Sequence, residues 1–134
     1  MLGQNAKKNK PMILSTGMAD MKMVQAAYSQ VNQKNNQIAI LQCTSTYPSA
    51  FSEVHLNVLQ TFMKEFPDTV VGYSGHEQGI AIPPAAVALG AKIIERHFTL
   101  DRTLKGGDHA ASLEPQGFAK MVRDIRHIEE AMGS

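Results

Sequence analysis

One cysteine, few aromatic residues and almost no net charge mark this chain by what it lacks. The lone Cys43 excludes an intramolecular disulfide and fits a reducing compartment. The formal charge is +1 with histidines neutral. No block of like charge exceeds Lys7, Lys8 and Lys10, which reads as a solvated loop, so neither a nucleic-acid partner nor a membrane surface is expected. No apolar run approaches the roughly 18 residues of a spanning helix, and the N-terminus lacks a signal-peptide core. The expectation is a cytoplasmic, soluble protein. Walker and G-x-G-x-x-G patterns are also missing.

What is present has globular composition, 43% hydrophobic and 19% charged, in 134 residues that suit one domain of ordinary size. Residues 1–10 carry little pattern and read as a loop tail. Pro11–Leu14 is a short apolar run ending in Ser15-Thr16-Gly17, a strand and a turn. Asp20 then caps a helix with the stripe Met21, Val24, Ala27, Tyr28 and Val31. Ile38–Leu41 is a second strand, running on through Gln42-Cys43-Thr44-Ser45. Ser52 is expected to cap a helix bearing His55, Leu59, Phe62, Met63 and Phe66. Val70 to His76 and Lys92 to His97 are strand-like, joined by a helix over Ile82–Leu89 with Pro83 and Pro84 in its first turn. A loop from Arg102 to Ala111 precedes a last helix that starts at Glu114-Pro115. Its apolar face is Phe118, Met121, Val122, Ile125, Ile128 and Met132, and Gly133 ends it.

Four βα units in succession predict a parallel sheet with right-handed crossovers. Two architectures fit: a small open doubly wound sheet, or part of a (βα)8 TIM barrel. Units of roughly 25–35 residues match barrel units, and a whole barrel takes about 250 residues, so four units would make the second half. All four strands end in polar groups, as if facing one mouth, whereas an open sheet concentrates its chemistry at a switch point. The barrel reading is therefore preferred.

The candidate chemistry lies at those strand ends. Alternate strand residues share a face, so Ser74 points with His76, and Glu95 with His97. On neighbouring strands the two imidazoles could share one ion, of a kind such as Mn²⁺, Zn²⁺ or Mg²⁺. The alternative is two strand-end histidines satisfied by backbone. Ser15, Thr16, Gly17, Ser45, Ser74 and Gly75 could cradle a phosphate through hydroxyl and amide donors, or be ordinary turn residues. Asp108, in the loop after the fourth strand, could bind sugar hydroxyls or move a proton. A solvated loop carboxylate is its plainer reading. His55 and His127 are placed on helices as structural or exposed residues, and Cys43 as a small buried hydrophobe.

Five segments taken together carry a likeness. They are Leu14-Ser15-Thr16-Gly17-Met18, Gln42-Cys43-Thr44-Ser45-Thr46-Tyr47-Pro48, Gly72-Tyr73-Ser74-Gly75-His76-Glu77, Glu95-Arg96-His97-Phe98-Thr99-Leu100-Asp101, and Gly107-Asp108-His109-Ala110-Ala111-Ser112-Leu113-Glu114-Pro115. In this order and spacing the chain, from about Ala6 on, resembles the sialic acid synthase (N-acetylneuraminate synthase) family, and its wording is closest to the animal type.

The resemblance implies a (βα)8 barrel of which residues 1–134 are a partial catalytic domain, its second half, without the antifreeze-like domain. It implies condensation of phosphoenolpyruvate with N-acetylmannosamine or its 6-phosphate to N-acetylneuraminate or its 9-phosphate. It puts a divalent metal, Mn²⁺ or Mg²⁺, on His76 and His97, phosphoenolpyruvate near Ser15, Ser45 and Ser74, and the aminosugar near Tyr47 and Asp108. Asp108 or Glu95 would handle protons. The family's lysines from the first half are missing here. The chain alone is therefore expected to be inactive, and either to self-associate as a homo-oligomer or to need an N-terminal half. A catalytically silent metal- or phosphate-binding module, or another sugar-phosphate barrel lyase, are the alternative readings.

Overall fold

The structure, a computed structural model, describes residues 1–133. Four strands, β1 (Met12–Ser15), β2 (Ile38–Cys43), β3 (Val70–Gly75) and β4 (Ile93–Arg96), alternate with helices α1 (Leu2–Ala6), α2 (Met21–Asn32), α3 (Val58–Glu65), α4 (Ile82–Ala88) and α5 (Pro115–Met132). Every pairing is parallel and the order is β1-β2-β3-β4. Each new strand adds to the same edge, so the order never reverses and no doubly wound switch point exists. The sheet is a curled half-barrel, as the strand ends predicted.

The period of two divides the strands between two faces. Leu14, Ile40 and Val71 stand in register on one face, as do Gln42, Tyr73 and Ile94. Ile40, Val71 and Tyr73 belong to the main core with Val24 of α2, Leu59 and Phe62 of α3, and Ala86 of α4. Ser15, Leu41, Gly72 and Ile93 share the opposite, inner face, followed by a row of Cys43, Ser74 and Glu95. Gly72 is required there: a Cβ would collide with the Leu41 side chain and the Ile93 carbonyl. Leu41 fills that space and is buried. Below it the inner row of Ile13, Ala39 and Val70 ends in exposed Ile13 and Val70.

Helix α2 begins as expected, with the Met23 amide donating to Asp20 Oδ1 at 2.9 Å. Helix α5 lies against α4 through Leu113, Met121 and Ile125, packed with Val87, Ile94 and Phe118. Two expectations need correction. Residues 1–10 are not all loop, because Ala6 of α1 is fully buried against Val31 and Ile38. That anchor is tertiary and leaves no local pattern. The third helix does not start at Ser52, either. Phe51–Glu53 form a separate 3₁₀ turn, the chain turns at His55 with φ +50°, and α3 begins at Val58. Competing local bonds explain this: Thr44 Oγ1 donates to the Glu53 carbonyl at 2.7 Å, and Thr46 Oγ1 to the Glu53 carboxylate at 3.2 Å. His55 is thus an exposed loop residue, whereas His127 is on α5 as placed.

Candidate active site

His76 and His97 each follow directly on a strand, β3 and β4, and point away from the helices into the mouth of the half-barrel. Their ring centres are 5.1 Å apart. The Nδ1–H of His76 donates to the Thr44 carbonyl at 2.5 Å. A carbonyl can only accept, so this bond puts the proton on Nδ1 and leaves Nε2 with its lone pair toward the mouth. The Tyr47 hydroxyl is 3.1 Å from that Nε2, and the Tyr47 ring stacks on His76 with centres 4.1 Å apart. Tyr47 stands on the β2–α3 loop, which is tied to the exit of β3 by the Ser49 amide donating to the His76 carbonyl at 3.0 Å.

The inner row of polar residues continues this surface. Ser74 Oγ–H donates to Glu95 Oε2 at 2.6 Å across β3 and β4. Cys43, in register with Ser74, is half-buried. Burial pushes its thiol pKa up; a bond with Ser74 partly opposes this and the nearby Glu95 charge adds to it. Such a thiol is a weak nucleophile. Tyr47 is likewise raised, by burial first and then by the negative groups of Cys43, Asp108 and Glu95. Ser15, Gly17, Cys43, Ser45, Tyr47, Ser74, His76, Glu95 and His97 line one cavity of about 440 Å³. No lysine or arginine is among them. Asp108 is on the rim: exposed, its Oδ2 is 3.9 Å from His97 Nδ1. Its turn is pinned by Ser112 Oγ–H donating to the Asp108 carbonyl at 2.7 Å.

The donors present suit a divalent ion held through imidazole. Two imidazoles on one ion, with metal–nitrogen distances of about 2.0–2.1 Å, have ring centres roughly 5 Å apart. Among the described residues no group of three or more His, Cys, Asp or Glu could hold an ion. Any ion here would complete its shell with water or substrate oxygens. A larger cavity of about 880 Å³ lies toward the start of α2, lined by Thr16, Asp20, Gln42, His55 and Phe62 among others. It shares only Cys43 and Ser45 with the first and holds neither strand-end histidine. The chemistry therefore points to the smaller one.

The NeuB family model matches residues 1–134. This chain belongs to the NeuB family. It is 52% identical to human N-acetylneuraminate-9-phosphate synthase over 99% of this chain and 37% of that protein. It is 47% identical to N,N'-diacetyllegionaminic acid synthase of Campylobacter jejuni, over 96% of this chain and 39% of that one. Among solved structures, spore coat polysaccharide biosynthesis protein SpsE of Bacillus subtilis superposes with a TM-score of 0.93 at 40% identity, covering 98% of this chain and 37% of its own. The N-acetylneuraminic acid synthetase of Leptospira borgpetersenii, in complex with citrate, also gives 0.93, at 37% identity, over 99% of this chain and 46% of its own. The NeuB-family chain thus spans about 37% of the human synthase's length.

Behind the mouth of this NeuB half-barrel lies a feature that the sequence reading passed over. Glu77 and Arg96 form an ion pair at 3.0 Å with both side chains fully buried. Tyr73 O–H donates to Glu77 Oε2 at 2.7 Å. Burial, and then the bond and charge of Glu77, push the Tyr73 pKa far above its usual value of 10.0. One signal was available. Strand alternation sends Arg96 to the side opposite Glu95 and His97, and a charge on a helix-facing position demands a partner.

Proposed function

We propose that this chain contributes the metal-binding half of a sialic acid synthase site. The reaction is condensation of phosphoenolpyruvate with N-acetylmannosamine, or its 6-phosphate, to N-acetylneuraminate, or its 9-phosphate, and phosphate. The observation that carries this reading is the convergence of Ser15, Ser45, Tyr47, Ser74, His76, Glu95 and His97 on one cavity, in a chain 52% identical to the human 9-phosphate synthase. His76 and His97 would hold Mn²⁺ or Mg²⁺, which when bound supplies Lewis-acid polarisation of the sugar aldehyde.

The chain's own residues then divide the work. The Thr44 carbonyl keeps the proton of His76 on Nδ1, so that Nε2 faces the mouth as a neutral donor atom. Ser15 and Ser45 offer hydroxyls to the phosphate or carboxylate of phosphoenolpyruvate. Ser74 Oγ–H already donates its hydrogen bond to Glu95 Oε2. It can donate to an anionic substrate only if its hydroxyl turns away from Glu95, which frees that carboxylate oxygen to accept from another donor. Glu95 in the lining and Asp108 on the rim are the carboxylates that would handle protons, Asp108 facing the sugar. Because the lining has no lysine or arginine, a phosphorylated substrate needs cations from outside this chain. The chain alone is therefore inactive, and its open β1 and β4 edges favour self-association.

The test is phosphate release from phosphoenolpyruvate and either sugar, with the chain supplied alone and together with the first half of a NeuB-family barrel. The expected result is turnover only in the complemented sample, abolished by chelator and by the His76→Ala, His97→Ala double variant. A folded, complemented assembly that releases no phosphate with either sugar would overturn the reading.

A further inference from the structure

Each member of the buried ion pair is the chain neighbour of one site histidine: Glu77 follows His76, and Arg96 precedes His97. Adjacent residues in extended backbone point to opposite sides. The imidazoles therefore face the mouth while the carboxylate and guanidinium meet behind it. Arg96 binds more than the carboxylate. Its Nη1 donates to Glu77 Oε1 at 3.0 Å and to the Gly79 carbonyl at 2.8 Å. Its Nη2 donates to the Glu77 carbonyl at 2.7 Å and to the Ala111 carbonyl at 3.2 Å. One planar fork thus grips the backbone just after His76 and the turn that follows Asp108, while its own backbone carries His97. Three segments that supply site residues converge on this single side chain. An ordinary core position would be filled at lower desolvation cost by apolar side chains.

We propose that Arg96 and Glu77 are positioning residues that set the separation of the His76 and His97 rings and the placement of the Asp108 turn. The proposal rests on the metal reading above for its functional meaning, though not for its geometry. Lysine at position 96 keeps the charge but has no fork, so it cannot satisfy four acceptors on two segments at once. Loss of the fork lets the exits of β3 and β4 move independently, and the rings lose their common spacing.

The experiment uses the whole chain with Arg96→Lys, and Glu77→Gln as the milder second variant should the first fail to fold. Folding is checked by circular dichroism. Two readouts are taken on folded protein: Mn²⁺ affinity, from the free-ion electron spin resonance signal, and nuclear Overhauser contacts between the His76 and His97 ring protons without metal. The expected result is at least a tenfold loss of Mn²⁺ affinity and loss of the inter-ring contacts in the variant. A folded variant with affinity within twofold of the parent and unchanged contacts would reduce the pair to a structural role and overturn the proposal. If the parent shows the contacts but binds no Mn²⁺, and the variant loses them, the metal reading fails while the positioning role stands.

Discussion

The β3–β4 half of the sheet and the β1–β2 half offer similar polar residues to the same cavity, but they hold them differently. In the first, Ser74 and His76 are buried, and Glu77 and Arg96 lock the strand exits from behind. In the second, Ser15 at the end of β1 and Ser45 on the connection after β2 are exposed, with no buried charge behind them. The inner face there ends in Ile13, 58% exposed. Site residues on rigid, over-determined backbone hold their geometry before a ligand arrives; those on lightly bonded loops take their final place on binding. The histidine wall is preorganised and the serine wall is adaptable.

The largest test of that contrast is to break the lock. Glu77→Ala leaves the Arg96 guanidinium buried without its counter-ion, and a loss of about 3–5 kcal/mol is expected. The matched change Ser45→Ala in the exposed wall should stay within about 0.5 kcal/mol. Urea unfolding of both variants measures the difference, and equal losses would erase the contrast.

A second test uses pH. Tyr73 is an acid whose pKa is raised on folding, by burial first and then by its bond to Glu77. Above the unfolded value of about 10 the native state holds a proton that the unfolded chain releases, so stability falls as pH rises through that range. Tyr73→Phe should flatten this alkaline decline, read as the unfolding midpoint between pH 9 and about 11. An unchanged slope would mean that other groups control it.

An effect well below that of breaking the lock is expected at the start of α2, in the adaptable half. Asp20→Ala removes the acceptor of the Met23 amide, 2.9 Å away, and should cost about 1 kcal/mol. Thermal unfolding detects a change of that size. A much larger loss would show that the β1–β2 half is locked as tightly as its neighbour.

The sequence by itself determined the order and kind of the elements. Apolar runs of strand length, an Asp cap and Pro-Pro and Glu-Pro starts are local signals, written within a few residues of where they act. It also determined that Ser74, His76, Glu95 and His97 share a face, because strand alternation is a local rule. Only the tertiary structure decided the rest. Helix α1 exists because Ala6 finds Val31 and Ile38. The late start of the helix expected from Ser52 depends on threonines from the preceding loop reaching Glu53. The Glu77–Arg96 lock joins the last residue of β4 to a residue just past β3 and to a carbonyl of a third segment. No propensity encodes such a meeting. A buried charge acquires its meaning only from a partner brought close by the fold, since desolvation makes it costly alone and stabilising contacts must come from elsewhere in the chain.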